Sequence, residues 1–269
     1  MKDSPIGVFD SGVGGLTVLK ALSAELPHEH FVYLGDTARL PYGTKSAETV
    51  ARYSLQAAEA LSEYGVKCLV IACNTASSVG LPSIRQHISS VPVIGVIEPG
   101  AEAACTASKS GHIAVIATEG TVHGGAYQEA ILRLRGRARI IARPAQLFVA
   151  LAEEGLNEGP IAESVARHYL HSLFHTEPSP DTLVLGCTHF PMLAGVIRAS
   201  VGPNILIVDS AATTARSVRE MLENKNLIRT AGEGSIRFLA TDSVERFARI
   251  GSRFLERPID PDEVELVDL

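Results

Sequence analysis

Short apolar runs alternate with longer segments of helical period along nearly the whole chain. The runs at residues 5–9, 31–35, 68–72, 91–96, 113–117, 138–142, 182–186, 205–208 and 235–239 are rich in Val and Ile and do not alternate strictly. That pattern predicts parallel strands buried on both faces. Between them, residues 16–26, 46–64, 159–175 and 211–222 carry helical patterns. Ser, Thr, Asn or Gly often stands at the junctions, as helix starts favour. The predicted class is α/β. Ligand sites in such folds gather where strand ends feed loops and helix starts. Four polar junctions therefore stand out: Asp10-Ser11-Gly12, Cys73-Asn74-Thr75, Thr118-Glu119-Gly120-Thr121 and Cys187-Thr188-His189.

Two of these junctions share a setting. Leu69-Val70-Ile71-Ala72-Cys73-Asn74-Thr75 lies 114 residues before Leu183-Val184-Leu185-Gly186-Cys187-Thr188-His189, and Ile6-Gly7-Val8-Phe9 lies 107 before Ile113-Ala114-Val115-Ile116. One reading is two related halves, each with a cysteine ending a strand. The other is the general likeness of α/β strands to one another.

Composition narrows the function classes. A chain of 269 residues, 46% hydrophobic and 20% charged, can bury a substantial core as one large or two smaller domains. A formal net charge of −6 argues against a dedicated nucleic-acid binder. The longest apolar runs are too short to cross a bilayer. Lys2-Asp3-Ser4-Pro5 leads into a strand-like run, unlike the apolar core of a signal peptide. The expectation is a cytoplasmic protein whose cysteines, Cys68, Cys73, Cys105 and Cys187, are reduced thiols. The stretch 256–269, with six acids and two prolines, is expected to be a mobile surface segment.

Cys73 and Cys187 each close a predicted strand and open a predicted helix. The helix dipole and free backbone N–H groups there would lower a thiol pKa from about 8.5. A lone buried cysteine is usually core, but two in matching settings, each followed by hydrogen-bonding residues, point to chemistry. Cys68 and Cys105 lack that context and read as packing residues. Cys187 with His189 suits a nucleophile–base pair, as in acyl transfer. Two thiols facing one carbon from opposite sides suit two-base proton transfer, with thiolate and thiol exchanging roles.

Asp10-Ser11-Gly12-Val13-Gly14-Gly15, Gly35-Asp36-Thr37-Ala38-Arg39-Leu40-Pro41-Tyr42-Gly43, Cys73-Asn74-Thr75-Ala76-Ser77 and Gly186-Cys187-Thr188-His189-Phe190-Pro191 together resemble the glutamate racemases, in order and spacing. The resemblance implies a cofactor-independent isomerase that interconverts L- and D-glutamate for peptidoglycan synthesis, commonly a homodimer. It implies Cys73 and Cys187 as the acid/base pair, assisted by Asp10 and His189, with Glu153 near the second cysteine. It further implies Ser11, Tyr42, Gly43, Asn74, Thr75, Thr118, Thr121 and Thr188, with Asp10 and His189, as substrate-binding positions. Gly12, Gly14 and Gly15 would let the backbone approach the ligand, and helix starts would suit its carboxylates. Two similar parallel-sheet domains follow, residues 1–97 with 211–269 and residues 98–210, with the active site in the cleft between them.

Other readings compete. The loop Gly12-Val13-Gly14 with Asp36 could bind a dinucleotide, but Thr17 stands where that fingerprint has its third glycine. His168, His171 and His175 share one helical face, which suggests a metal or a polar surface; no metal is expected. Arg133, Arg135, Arg137, Arg139 and Arg143 form a basic run, expected to be a solvated helix end and strand edge. A non-enzymatic amino-acid binder would explain the polar junctions but not two matched thiols. Within the enzymes, aspartate or hydantoin racemisation is the nearest alternative.

Overall fold

The computed structural model describes residues 2–175 and 177–269. Among the described residues, ten strands form two sheets, with helices on their faces. They are β1 (Ile6–Asp10), β2 (His30–Gly35), β3 (Cys68–Ile71), β4 (Val93–Gly95), β5 (His112–Ala117), β6 (Arg139–Pro144), β7 (Thr182–Gly186), β8 (Leu206–Asp209), β9 (Ser235–Ala240) and β10 (Val264–Leu266). The first sheet has the order β10-β9-β2-β1-β3-β4 and the second β6-β5-β7-β8. Every recorded pairing is parallel. The α/β class expected from the apolar runs is the class observed.

The order β2-β1-β3-β4 recurs as β6-β5-β7-β8, and the registers recur with it. Ile6 pairs with Cys68, and Ile113 with Thr182. Leu69 pairs with Val93, and Leu183 with Ile207, displaced by the spacing that separates the two site cysteines. Shared order and register are more than the general likeness of strands requires, and they favour two related halves. Beyond the repeat, the first sheet gains β9 and β10 from the C-terminal part of the chain.

Burial explains why the runs carry no polar alternation. On β1, Ile6 and Val8 enter a core that continues through β5 and β7, whereas Phe9 enters a second core on the opposite face. Cys68 and Val70 on β3 follow the first path, and Leu69 and Ile71 the second. Both faces are covered, so every position is apolar. The second core is closed by Val50, Ala57, Ala58 and Leu61 on the helix Ala47–Glu63. Cys68 is core, as expected, and burial pushes its thiol up to about 12. No helix among the described residues is long and apolar enough to cross a membrane.

The C-terminal stretch corrects the sequence reading. Instead of a mobile segment, Pro261–Glu263 forms a 3-10 turn and β10 pairs with β9. Ile259 and Val264 are buried, and Arg237 pairs with Glu265. The acids face water, as does Leu266, while Ile259 and Val264 seat the segment. Covering β9 removes an exposed sheet edge from that strand.

A buried ion pair ties four distant segments together. Lys67 Nζ donates to the Glu29 carboxylate, to Lys2 O at 2.6 Å and to Leu227 O at 2.9 Å. Glu29 Oε1 accepts from Arg229 N at 2.8 Å. Both side chains are almost wholly excluded from water. Removing one charge would leave the other buried without its partner. Glu29→Gln is expected to cost about 3 kcal/mol of stability in urea unfolding, and a loss under about 1 kcal/mol would show the pair to be dispensable.

Candidate active site

The carboxyl ends of β1, β3, β5 and β7 deliver all four polar junctions to one region. A cavity of about 40 Å³ there is lined by Ser11, Tyr42, Gly43, Cys73, Asn74, Thr75, Thr118, Glu153, Cys187, Thr188 and His189. Gly12, Leu40, Pro41, Gln146 and Val149 complete the wall. Both cysteines therefore open on a single space. Asp10 stands outside that lining, buried, with Oδ2 accepting from Gly12 N at 3.0 Å. Thr121 also stands outside it, and its hydroxyl bonds those of Thr75 at 3.1 Å and Thr118 at 2.9 Å. Three threonines from the two halves are thus joined, since Thr75 also meets Thr118 at 2.8 Å.

Glycines set the spacing between the halves. A Cβ on Gly14 would stand 2.4 Å from Thr188 Oγ1 and 2.5 Å from the His189 ring. A Cβ on Gly43 would stand 2.7 Å from Thr118 Cβ. The sequence reading gave the glycine loop to ligand approach. At Gly14 its role is to admit residues of the other half.

The surroundings of the two thiols differ. Cys73 caps the helix Asn74–Val79, with Sγ accepting from Ala76 N at 3.4 Å and donating to Ser11 Oγ at 3.5 Å. Its thiol nevertheless moves opposite to the helix-start expectation. Burial, followed by the charge of Asp10, pushes Cys73 up to about 12, against the pull of Ser11 and the Ala76 amide. Desolvation outweighs one turn of helix dipole. Asp10 is itself raised by burial, an effect moderated by His189 and by amides of the loop.

Cys187 does not open an α-helix directly. Thr188 and His189 intervene before a 3-10 turn, Phe190–Leu193, which leads into the helix Ala194–Val201. His189 Nδ1 lies 3.8 Å from Cys187 Sγ, and Nε2 lies 3.1 Å from Glu153 Oε1. Burial disfavours an imidazolium there, but the interactions with Cys187 and Glu153 prevail and push His189 up to about 10. Glu153 is lowered although burial opposes it, because His189 and Arg246 both stabilise its charge. Arg246, on the helix Val244–Leu255, bonds Glu153 Oε2 at 3.0 Å, and Phe254 of the same helix meets the His189 ring edge-on at 5.2 Å.

Tyr42 is held from behind. Its hydroxyl donates to Asp36, whose carboxylate also accepts from Arg39 Nε at 2.6 Å and Thr241 Oγ1 at 3.0 Å. Asp36 is fully buried and engaged, so it is not free to bind the ribose that a dinucleotide reading requires. Among the described residues, no group of three or more His, Cys, Asp or Glu is placed to hold a metal. His171 and His175 stack on each other at 4.2 Å. The arginine run ends a helix and follows β6, the edge strand, where Arg135 bonds Ser108 O and Arg143 bonds Tyr169 O.

A family model described as Asp/Glu/Hydantoin racemase matches residues 7–218. The chain belongs to that family. It is 49% identical to a glutamate racemase of Geobacter metallireducens, over 93% of this chain and 92% of that protein. The structure of a glutamate racemase isoform from Bacillus anthracis superposes with a TM-score of 0.94 at 37% identity, covering 100% of this chain and 99% of that one. A glutamate racemase from Francisella tularensis, solved in complex with D-glutamate, gives 0.92 at 35% identity, covering 100% and 98%.

Some residues that shape this racemase-family site were missed in the sequence. Gln146 and Val149 follow the carboxyl end of β6, so the rule that found the other junctions could have found them. Arg246 and Arg253 carry no local signal, because they reach Glu153 only through the return of the C-terminal helix.

His189 titrates higher when folded than an ordinary imidazole near 6.5. Its protonation therefore contributes stability that is complete below about 6.5 and lost as the pH rises through about 10. Glu153→Gln removes one supporting charge, and the His189 pKa followed by NMR is expected to fall by roughly one unit or more. An unchanged titration would show that Glu153 does not set the charge of the pair.

Proposed function

We propose that this protein racemises glutamate by two-base proton transfer between Cys73 and Cys187. The observation that carries the reading is one small cavity opened on by both thiols, each from an equivalent strand end of a repeated half. With L-glutamate, Cys187 as thiolate takes the α-proton: the C–H bond breaks and an S–H bond forms. The Cys73 thiol then gives its proton to the opposite face of the carbon, yielding D-glutamate. That turnover leaves Cys73 as thiolate and Cys187 as thiol, the arrangement D-glutamate requires.

The surroundings suit these roles. Burial keeps Cys73 protonated as the acid, while the His189 imidazolium offers a countercharge to the Cys187 sulfur. Asp10 and His189 would tune or relay protons for their neighbouring thiols, with Glu153 supporting His189. Asn74 Nδ2 and Gln146 Oε1 are buried without hydrogen-bond partners among the described residues, and both residues line the cavity. They offer a donor to a carboxylate and an acceptor to an ammonium group. Ser11, Tyr42, Gly43, Thr75, Thr118, Thr121 and Thr188 would complete substrate binding directly or through their neighbours.

A volume of about 40 Å³ holds little more than a water molecule. Entry of glutamate thus requires the halves, residues 1–97 with 211–269 and residues 98–210, to part and close again. Closure would exclude water from the carbanion-like state. An open cavity of about 380 Å³ shares Gly43 and Thr75 with the inner one and provides a route. In this reading the protein works in the cytoplasm, where its thiols stay reduced, acts as a homodimer, and supplies D-glutamate for peptidoglycan synthesis.

Cys73→Ser and Cys187→Ser are each expected to lower kcat for both enantiomers by at least about 10²-fold, in chains whose circular dichroism is unchanged. Near-normal racemisation by either variant would rule out the two-thiol reaction.

A further inference from the structure

Tyr127 lies outside the cavity lining, yet one bond separates it from the site. It stands on the helix Ala126–Leu134 of the second half, fully buried, with its hydroxyl 2.8 Å from Asn74 Oδ1 of the first half. Ser210, first residue of the helix Ser210–Asn224, packs beside the same hydroxyl, both lying within 3.4 Å of where a Cβ on Gly100 would stand. The phenol donates its proton to the Asn74 oxygen. The ring has little freedom, since glycines make room for it: a Cβ on Gly100 would stand 3.1 Å from the hydroxyl, and one on Gly186 3.1 Å from the ring.

A side-chain amide has an acceptor end and a donor end of nearly equal shape. Which end faces the cavity is decided by what holds the other. With Oδ1 bonded to Tyr127, Nδ2 is left buried and unpaired beside the cavity. Buried donors are rarely left unpaired, so this one awaits an acceptor from a ligand. The reversed amide would set Oδ1 against the carboxylate oxygens of an acidic substrate, lone pair against lone pair.

We propose that Tyr127 is a positioning residue for substrate recognition: with its ring seated against Gly100 and Gly186, its hydroxyl locks the Asn74 amide so that Nδ2 is presented to a substrate carboxylate. The proposal rests on the glutamate racemase reading and adds to it the group that orients one of its binding residues. The carboxylate is bound in both ground state and transition state, so the contact acts on KM more than on kcat.

The test is steady-state racemisation by the full chain and by Tyr127→Phe, which keeps the ring and removes only the hydroxyl. KM for both enantiomers is expected to rise about tenfold while kcat changes less than about threefold. In an Asn74→Ala background, where no amide remains to orient, Tyr127→Phe should change KM by less than about twofold. An unchanged KM in the otherwise intact chain would overturn the proposal. So would an equal loss with and without Asn74, which marks a general packing effect. Failure of the unmodified chain to racemise glutamate would count against the proposed reaction instead. Calorimetric binding of D-glutamate would then read Tyr127 separately, with about tenfold weaker binding by Tyr127→Phe supporting its role and equal binding overturning it.

Discussion

The close approach of the two halves is the constraint on which the site depends. Where Gly14 faces Thr188 and His189, and Gly43 faces Thr118, there is no space for even one methyl group. That contact brings two strand ends from different sheets to a common cavity of only about 40 Å³. Thr17 reinforces it, with its hydroxyl reaching Thr188 O at 3.1 Å. A side chain at either glycine would push the two strand ends apart and open the cavity between them.

Exclusion of water then divides two chemically identical residues. Cys73 faces Asp10 and a hydroxyl, and it is driven up. Cys187 faces an imidazole that Glu153 keeps charged, with Arg246 fixing Glu153 in turn. The repeated backbone supplies the symmetry that a reversible reaction on two mirror-image substrates needs. The inserted charges break that symmetry: Cys73 stands beside Asp10, and Cys187 beside the His189–Glu153 pair. The C-terminal helix takes part in this division: it belongs to no repeat, yet it carries the arginine that holds Glu153.

Much of this was legible in the chain, for definite reasons. Buried strands carry continuous apolar runs, and the partly exposed β6, β8 and β9 still hold enough Ile, Val, Leu or Phe to show, so nine of the ten described strands were visible as runs. Strand-end polar residues are exceptions within such runs, which is why Cys73, Asn74, Cys187 and His189 stood out. β10 was hidden because it is three residues long and only Val264 in it is buried. The Cys73 thiol was misjudged because a helix start is local and readable, whereas its desolvation and the charge of Asp10 arise only once the chain folds and β1 lies beside β3. Arg246, Tyr127 and the Lys67–Glu29 pair escaped for a related reason. Their partners lie far away in sequence, and no local pattern marks either end.

The central claim is that protons enter and leave the α-carbon on opposite faces, through different thiols. The most direct measurement is NMR of L-glutamate turned over by the protein in D₂O and stopped after a few per cent conversion. The account predicts that the D-glutamate formed carries deuterium at the α-carbon while the remaining L-glutamate keeps its proton. D-glutamate that retains the original proton, or L-glutamate that gains deuterium as fast as product forms, would indicate one base acting on both faces and would contradict it.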